Sequence, residues 1–466
     1  MDYIFTYPRE EFEKEDGLNK EIIKRLIGKH QNVVVDNLKK NKAYYDGEHA
    51  IKTNERKKKN APNQKTVCNH AKDISDTASG YFMGSPITYG AEQGVDISAL
   101  TDAFDKACVD DVDQDNALLI SIYGKTYDYT YAAEDEAELR VRGLSPENTF
   151  IVYDDTIEQN ELFGVYYYVK KDDANDKTCY VATVCTDAHI YEFVLYPGYA
   201  ELDITPEDPR EHNLGFIPIT EYKNNKFDIG DFEQQIGLID AYNTLMADRV
   251  NDKEQFIDAL LILYGAILAD DEEASSEARK KLKDEGLLEL PEDARAEYLT
   301  RSLDENGVET LRKAIKEDIY TFSHVPNLTD EKFAGNSSGV AMEYKLLGLE
   351  MLTKIKERYY RKGLRKRIKM FCHFLGLKNK NIDPAAITPS FSRSLPKNLV
   401  ELANMVATLS DKVSAKTLIK LLPFVENPDD EVEAVKAEKD EAVQRQRETF
   451  AQTVNTKPEE EIDEDE

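Results

Sequence analysis

Apolar residues recur at alternating three- and four-residue steps in two central stretches of the chain, separated by an acidic module. In the first, Ile236, Ile239, Tyr242, Leu245, Met246 and Val250 fall on one side of a helix running from Asp231 to about Ile262. In the second, Val308, Leu311, Ile315, Ile319 and Phe322 do the same for a helix from Asp304 to Ser323. Each stripe is narrow and its flank is broad and charged. That pattern suits helices standing side by side in a wall better than helices sunk in one globular core. Thirty residues of helix would reach about 45 Å.

The pattern before this pair is mixed. Helical spacing predicts helices over Asn19 to Tyr45, Asn69 to Phe82 and Ile97 through Ile122, the second closed by Gly80, Gly84 and Pro86. Strand signals then take over at Thr126 to Ala132, Phe150 to Tyr153, Phe163 to Lys170, Tyr180 to Cys185 and Ile190 to Leu195, rich in Tyr, Val and Thr and parted by Asp, Asn and Gly. Between the paired helices, Leu261 to Leu268, Leu287 to Leu290 and Ala296 to Thr300 read as strands. Glu272 to Asp284 reads as a charged helix closed by Gly286.

Pro326 ends the second central helix, because its ring cannot continue the hydrogen-bond ladder. Polar residues 327–338 then predict a mobile loop, with Ser337 or Ser338 capping the next helix. That helix runs from Gly339 to about Leu375. Val340, Tyr344, Leu347 and Met351 give its first half an apolar face, and its second half is basic: Lys354, Lys356, Arg358, Arg361, Lys362, Arg365, Lys366, Arg367 and Lys369. Three readings stay open for the cations: contact with DNA, contact with an acidic neighbour, or a solvated face. Pro384, Pro389 and Pro396 lead into a small helical domain, with helices over Lys397 to Ser410 and Ser414 to Leu422 and a charged extension over Asp429 to Gln446. Residues 447–466 form an acidic tail too poor in apolar side chains to fold.

Composition narrows the partners. Sixty Lys and Arg against ninety Asp and Glu leave a net charge of −30, which disfavours tight generic binding to a phosphate backbone. Five dispersed cysteines without a C-x-x-C pair read as reduced thiols. The N-terminus lacks the basic and apolar run of a secretory signal, and Phe256 to Leu268 is too short to span a bilayer, so no membrane partner is expected.

Several segments, in order, resemble a known family. They are Lys42 to His49, Asn69 to Ile74, Gly80 to Pro86, Gly215 to Pro218, Lys223 to Asn225, and Gly230 to Phe256 with Leu238 to Asn243 inside it. Ser337 to Ala341, Ser394 to Asn398 and Leu421 to Val425 follow. The chain resembles the portal proteins of tailed double-stranded DNA bacteriophages, of the siphovirus type. The resemblance implies an α+β, mainly helical portal fold with residues 1–230 as an α/β wing, 231–262 and 304–325 as stem helices, and 263–303 as a small α/β clip. It further implies a tunnel loop at 326–338, a long wing helix at 339–380 and a helical crown at 381–446.

Function follows as a set of expectations from that resemblance. About twelve copies would form a ring around double-stranded DNA at one capsid vertex, serving packaging, retention and ejection. The clip would dock the terminase large-subunit ATPase and later a head-completion adaptor protein, and the ring would meet major capsid and scaffolding proteins. Tunnel-loop residues near DNA would be Asn327, Asp330, Lys332, Phe333, Asn336 and Ser337, with Lys332 the phosphate-facing candidate. Asp231, Glu233, Asp248, Asp252, Glu309, Lys313 and Lys316 would line the channel, and Arg358, Arg361, Arg365 and Lys369 would face DNA or a neighbouring subunit.

Catalytic chemistry finds no motif. Gly124-Lys125-Thr126 ends like a phosphate-binding loop, but Leu119 stands where that loop needs glycine. The seven histidines show no metal-ligand spacing and no G-x-S-x-G occurs, so neither metal nor cofactor is expected. The competing readings are a phage DNA-processing enzyme, either nuclease or nucleotide hydrolase, and an acidic adaptor or scaffold that forms no ring.

Overall fold

The computed structural model describes residues 4–14, 17–55, 63–133, 137–172, 177–195, 209–257, 260–264, 295–299, 305–328, 339–393, 399–410 and 412–419, with shorter stretches between 422 and 445. The chain divides into two units, Met1–Ser394 and Leu395–Glu466. The fold is α+β and mainly helical.

In the first unit the helices are α1 (Arg9–Phe12), α2 (Lys20–His30), α3 (Asp36–Tyr45), α4 (His70–Met83), α5 (Ser98–Lys106), α6 (Val109–Tyr123), α7 (Ile236–Ile257), α8 (Glu305–Ser323) and α9 (Gly339–Leu377). The predicted helix over 19–45 is interrupted by a π-helical turn, Gln31–Val35, that buries Val34 and Val35. The single helix expected over 97–122 is two helices. Cys108 takes a left-handed φ of 50°, and the bend lets Leu100, Phe104, Ala107 and Val109 all reach one apolar cluster.

Thirteen strands are described. A six-stranded sheet has the order β1 (Phe5–Thr6), β5 (Thr149–Tyr153), β6 (Glu161–Asp172), β7 (Lys177–Cys185), β8 (His189–Leu195), β9 (Arg210–Glu211), antiparallel except for the β1–β5 pair. A second sheet places β3 (Lys125–Ala132) between β10 (Ile219–Lys223) and β4 (Leu139–Leu144). Every strand expected between 126 and 195 is present. Those missed include β4, beside β3, and strands that pair at long range: β2 (Thr88–Ala91) with β13 (Ile387–Ser390), for example, carries Gly90 and Pro389, which conceal a strand locally.

The second half of α9 is the axle of this unit. Ile368, Phe371 and Leu375 pack with Leu100, Phe104 and Leu139, while Tyr360 and Leu364 pack with Phe82, Ile120 and Tyr222. The β13–β2 pair ties residues 387–390 to the same unit, so this stretch, assigned from sequence to the C-terminal helical domain, sits in the first unit instead.

The second unit holds α10 (Leu399–Leu409) and α11 (Ala415–Ile419), both where the pattern predicted helix. Ser414 Oγ accepts from the Thr417 amide at 3.4 Å, capping α11. The acidic tail lies outside the described residues; half of the predicted charged extension is described, and those residues, including 431–432 and 434–439, are helical. No helix among the described residues is long and apolar enough to cross a membrane.

Candidate functional site

The two central helices stand antiparallel. Lys253 Nζ lies 3.2 Å from Glu305, Arg249 Nη1 donates to Glu309 at 2.9 Å and Arg312 Nη1 donates to the Tyr242 hydroxyl at 3.0 Å, so advancing along α8 means retreating along α7. Hydrogen bonds from Arg312 and Arg249 hold the Glu309 carboxyl down at about 2, so it is an anion throughout the ordinary range. Beyond α7 the chain enters β11 (Leu260–Tyr264), which pairs antiparallel with β12 (Arg295–Leu299) before returning as α8. The helix predicted at 272–284 and the strand predicted at 287–290 lie outside the described residues.

Candidate channel residues separate into two groups. Asp248 and Lys313 are exposed, Asp252 and Lys316 are half-buried, and Glu309 sits in the arginine fork. Asp231 and Glu233 are different. Asp231 is buried where it accepts from Ser121 Oγ at 2.6 Å, from Asn224 Nδ2 at 2.9 Å and from Lys356 Nζ. Glu233 accepts from Asn37 and Asn41 Nδ2 at 2.9 and 3.0 Å and from the Gly230 amide at 3.1 Å. Both carboxylates therefore fasten the root of α7 to α3, α6 and α9, which corrects their assignment as lumen groups. A Cβ on Gly230 would meet the Ile122 carbonyl oxygen at 2.5 Å, so only glycine lets this root seat against α6.

The seam between the helix pair and α3 and α4 is polar and laced with hydrogen bonds. His49 Nε2 donates to the Tyr44 carbonyl at 2.9 Å, which leaves Nδ1 to accept from Asn243 Nδ2 at 2.7 Å, and Asn243 Oδ1 accepts from the Cys68 amide at 2.8 Å. Tyr44 donates to Asp240 at 2.8 Å. Tyr320 donates to Asp73 at 2.5 Å and its oxygen lies 3.2 Å from His70 Nδ1, whose ring meets Tyr242 edge to face. Burial, helped by Lys316, pushes His70 down to about 4, so it is neutral. Hydrogen bonding is thus what His49 and His70 do. Asn243 and Asn251, both buried and both anchoring the segment before α4, were missed; an Asn every second turn of an otherwise apolar helix face was their signal.

The cations of α9 point two ways. Lys356 reaches Asp231; Lys366 reaches Glu161 and donates to the Ile219 carbonyl at 2.7 Å. Arg367 is fully buried, donating to Asp113 at 2.7 Å and to Asp128 at 2.6 and 3.0 Å, with its guanidinium 5.1 Å from the Tyr222 ring. Among the predicted face residues, Arg358, Arg365 and Lys369 are exposed, and Arg361 is turned over the Phe391 ring at 5.6 Å. Lys354, Glu357, Arg358, Arg361, Lys362 and Arg365 line a shallow hollow of about 380 Å³. In the predicted tunnel loop, Asn327 is half-buried; Asp330, Lys332, Phe333, Asn336 and Ser337 lie outside the described residues.

Gly124 closes α6 in a left-handed conformation (φ 86°) and hands the chain to β3, a helix-to-strand turn that reverses the strand-to-helix order of a phosphate loop. Among the described residues no group of three His, Cys, Asp or Glu side chains is placed to hold a metal.

Comparison with known proteins decides the family. Residues 24–445 match the model of the family described as phage portal protein, SPP1 Gp6-like. The chain belongs to the phage portal protein family. The portal protein of Bacillus phage SPP1 is 23% identical over 449 residues, covering 91% of this chain and 87% of that one. The portal protein of Clostridium phage phiCD119 is 25% identical over 231 residues, 47% of each. Among solved structures, the neck of an empty GTA particle computed with C6 symmetry aligns at a TM-score of 0.45 with 11% identity, covering 75% of this chain and 89% of that one. The neck of a native GTA particle computed with C12 symmetry aligns at 0.44 with 10% identity, covering 77% and 90%. The segments at 42–49, 69–74 and 230–243 converge on one place in this fold, the seam where Tyr44, His49, Asp73, Glu233, Asp240 and Asn243 join the helix pair to α3 and α4.

Proposed function

We propose that this portal-family chain forms a closed ring of about twelve copies at one vertex of a phage capsid, with α7 and α8 as the wall of a channel for double-stranded DNA. The observation that carries the reading is the match of residues 24–445 to the portal family, joined to an antiparallel helix pair bridged by ion pairs from Arg249 to Glu309 and from Lys253 to Glu305. The mechanism is geometric and electrostatic. Asp248, Asp252, Glu309, Lys313 and Lys316 would present mixed but net acidic groups to the lumen, where water and ions stay between wall and duplex. At −30 per chain, twelve copies carry roughly −360 before counterions, so the ring would not adhere to its cargo.

The loop at 326–338 would approach the DNA, with Lys332 meeting phosphate. The β11–β12 module would be the clip, docking a terminase large-subunit ATPase that supplies packaging energy and later a head-completion adaptor. Major capsid and scaffolding proteins would surround the wing, and the ring itself would be non-enzymatic, part of the virion after assembly in the host cytoplasm.

Negative-stain electron microscopy of the purified chain, with mass measured on the same sample, tests this. Rings with a central hole and a mass near twelve or thirteen times 53.1 kDa are expected. A monodisperse monomer or dimer, even with scaffolding protein added, would overturn the reading. Deleting residues 327–332 should leave rings intact and impair packaging or retention.

A further inference from the structure

The face of α9 that turns away from the core carries one uninterrupted stripe. Tyr344, Leu347, Met351 and Ile355 begin it, 74%, 51%, 61% and 46% exposed. Arg358, Lys362, Arg365 and Lys369 continue it at the same three- and four-residue steps, all exposed. The opposite face holds Leu349, Thr353, Lys356, Tyr360, Leu364, Arg367 and Phe371, all buried. From Tyr344 to Lys369 the stripe is about 38 Å long. Helix α8 has a counterpart: Leu311 and Phe322, 51% and 61% exposed, lie along one flank with the half-buried Val308 and Ile315 and the exposed Asp318.

We propose that these two surfaces are the two halves of the contact between neighbouring copies of this chain: the outward stripe of α9 on one copy packs against the apolar, acid-bearing flank of α8 on the next. The inference rests on the ring reading above and names its interface. Three observations choose a second copy as the occupant. Leu347, Met351 and Ile355 would gain nothing from a duplex, whose surface is phosphate and sugar, but gain burial from Leu311 and Phe322. The basic half of the stripe belongs to a chain with thirty more acidic than basic residues, so a second copy offers carboxylates, beginning with Asp318. Finally, a closed ring needs two different surfaces on every subunit. The α9 stripe and the α8 flank are two such surfaces, on different elements and with opposite charge.

The test uses the full-length chain and two double variants. Leu347→Asp with Met351→Asp spoils the α9 stripe and leaves the α8 flank; Leu311→Asp with Phe322→Asp does the reverse. All four side chains are exposed in the single chain, so at concentrations below ring assembly each variant should melt like the wild type by circular dichroism. Each alone should require at least tenfold more protein to form rings. Mixed together, they should yield a crosslinkable heterodimer and nothing larger, since one sound interface remains between the first variant's α8 and the second variant's α9. Rings from either variant at wild-type concentrations, or a mixture that crosslinks no more than each variant alone, would overturn the pairing. Rings of normal yield from Arg358→Glu with Arg365→Glu, but with less DNA held, would assign the basic half to DNA and also overturn it. A wild-type chain that makes no ring defeats the ring reading itself, whereas intact variant rings defeat only the interface.

Discussion

The inner and outer faces of α9 carry the same kinds of residue under opposite physics. On the inner face Lys356, Lys366 and Arg367 are enclosed and each ends on a carboxylate, so their charges are fixed in number, position and partner. On the outer face Arg358, Arg365 and Lys369 stand in water, where an ion pair contributes little and a partner is a matter of assembly. In the primary structure the two sets are a single basic run. The difference teaches that a charge cluster on a helix is two clusters once one face is buried: the inner set holds the subunit together, and only the outer set is available to anything outside it.

The sharpest way to break the comparison is at its centre. Arg367→Met leaves Asp113 and Asp128 buried without their shared cation, and should cost about 3–5 kcal/mol in denaturant unfolding. Adding Asp113→Asn and Asp128→Asn should recover part of that loss, because the uncompensated charges are then gone. If Arg367→Met alone unfolds at the wild-type midpoint, the inner face is not what fixes the subunit. Lys356→Met should cost less, about 2–3 kcal/mol, since Asp231 keeps its bonds from Ser121 and Asn224. Its mark would be faster amide exchange at the first turn of α7, which Asp231 fastens to α6.

Acid offers a third test within the first unit. His30 is buried against Phe150 and bonded to Tyr167 at 2.8 Å; burial first, then Lys125, push it down to about 3. A depressed histidine stabilises fully above its unfolded pKa near 6.5 and loses that contribution as pH falls toward 3. Between pH 7 and pH 5 the chain should lose about 2 kcal/mol through this group. His30→Gln should lose correspondingly less over the same interval, measured by urea midpoints at both pH values; equal losses would mean His30 is not titrating against burial.

How far the sequence carried the reading depends on whether a feature had a local cause. The period-2 strands between 126 and 195 and the helix pair were legible because each element's own spacing encodes its buried face. The break at Cys108 was not, since nothing around Ala107 signals a bend except the need of four apolar residues to share one cluster. Strands β2 and β13 were hidden because each exists only by pairing with the other across almost three hundred residues. Asp231 and Glu233 were misread for a similar reason: their acidity is visible in sequence, whereas Lys356, Ser121, Asn37 and Asn41, which absorb it, come from distant segments. The division of the α9 cations was latent in the helical period, since Lys356, Tyr360, Leu364, Arg367 and Phe371 recur at three- and four-residue steps, but the aromatic and apolar members reveal which side is buried only once the stripe is read together with its charges.

The smallest expected effect is also the one that sharpens the comparison most. Arg358→Ala, Arg365→Ala and Lys369→Ala should each change the unfolding free energy of the isolated chain by no more than about 0.5 kcal/mol, as surface substitutions do. A loss near that of Arg367→Met at any of them would mean the outer face holds the subunit too, and the division between the faces would fail. With folding unchanged, any change in ring yield from the same three variants belongs to assembly alone. Because exposed pairs are screened, that change should grow as salt falls from 0.15 M to 0.01 M, where the Debye length lengthens from about 8 to about 30 Å. The inner-face variants should show no such dependence: a buried pair is shielded from the ions that screen an exposed one, so its energy is set within the subunit whatever the salt.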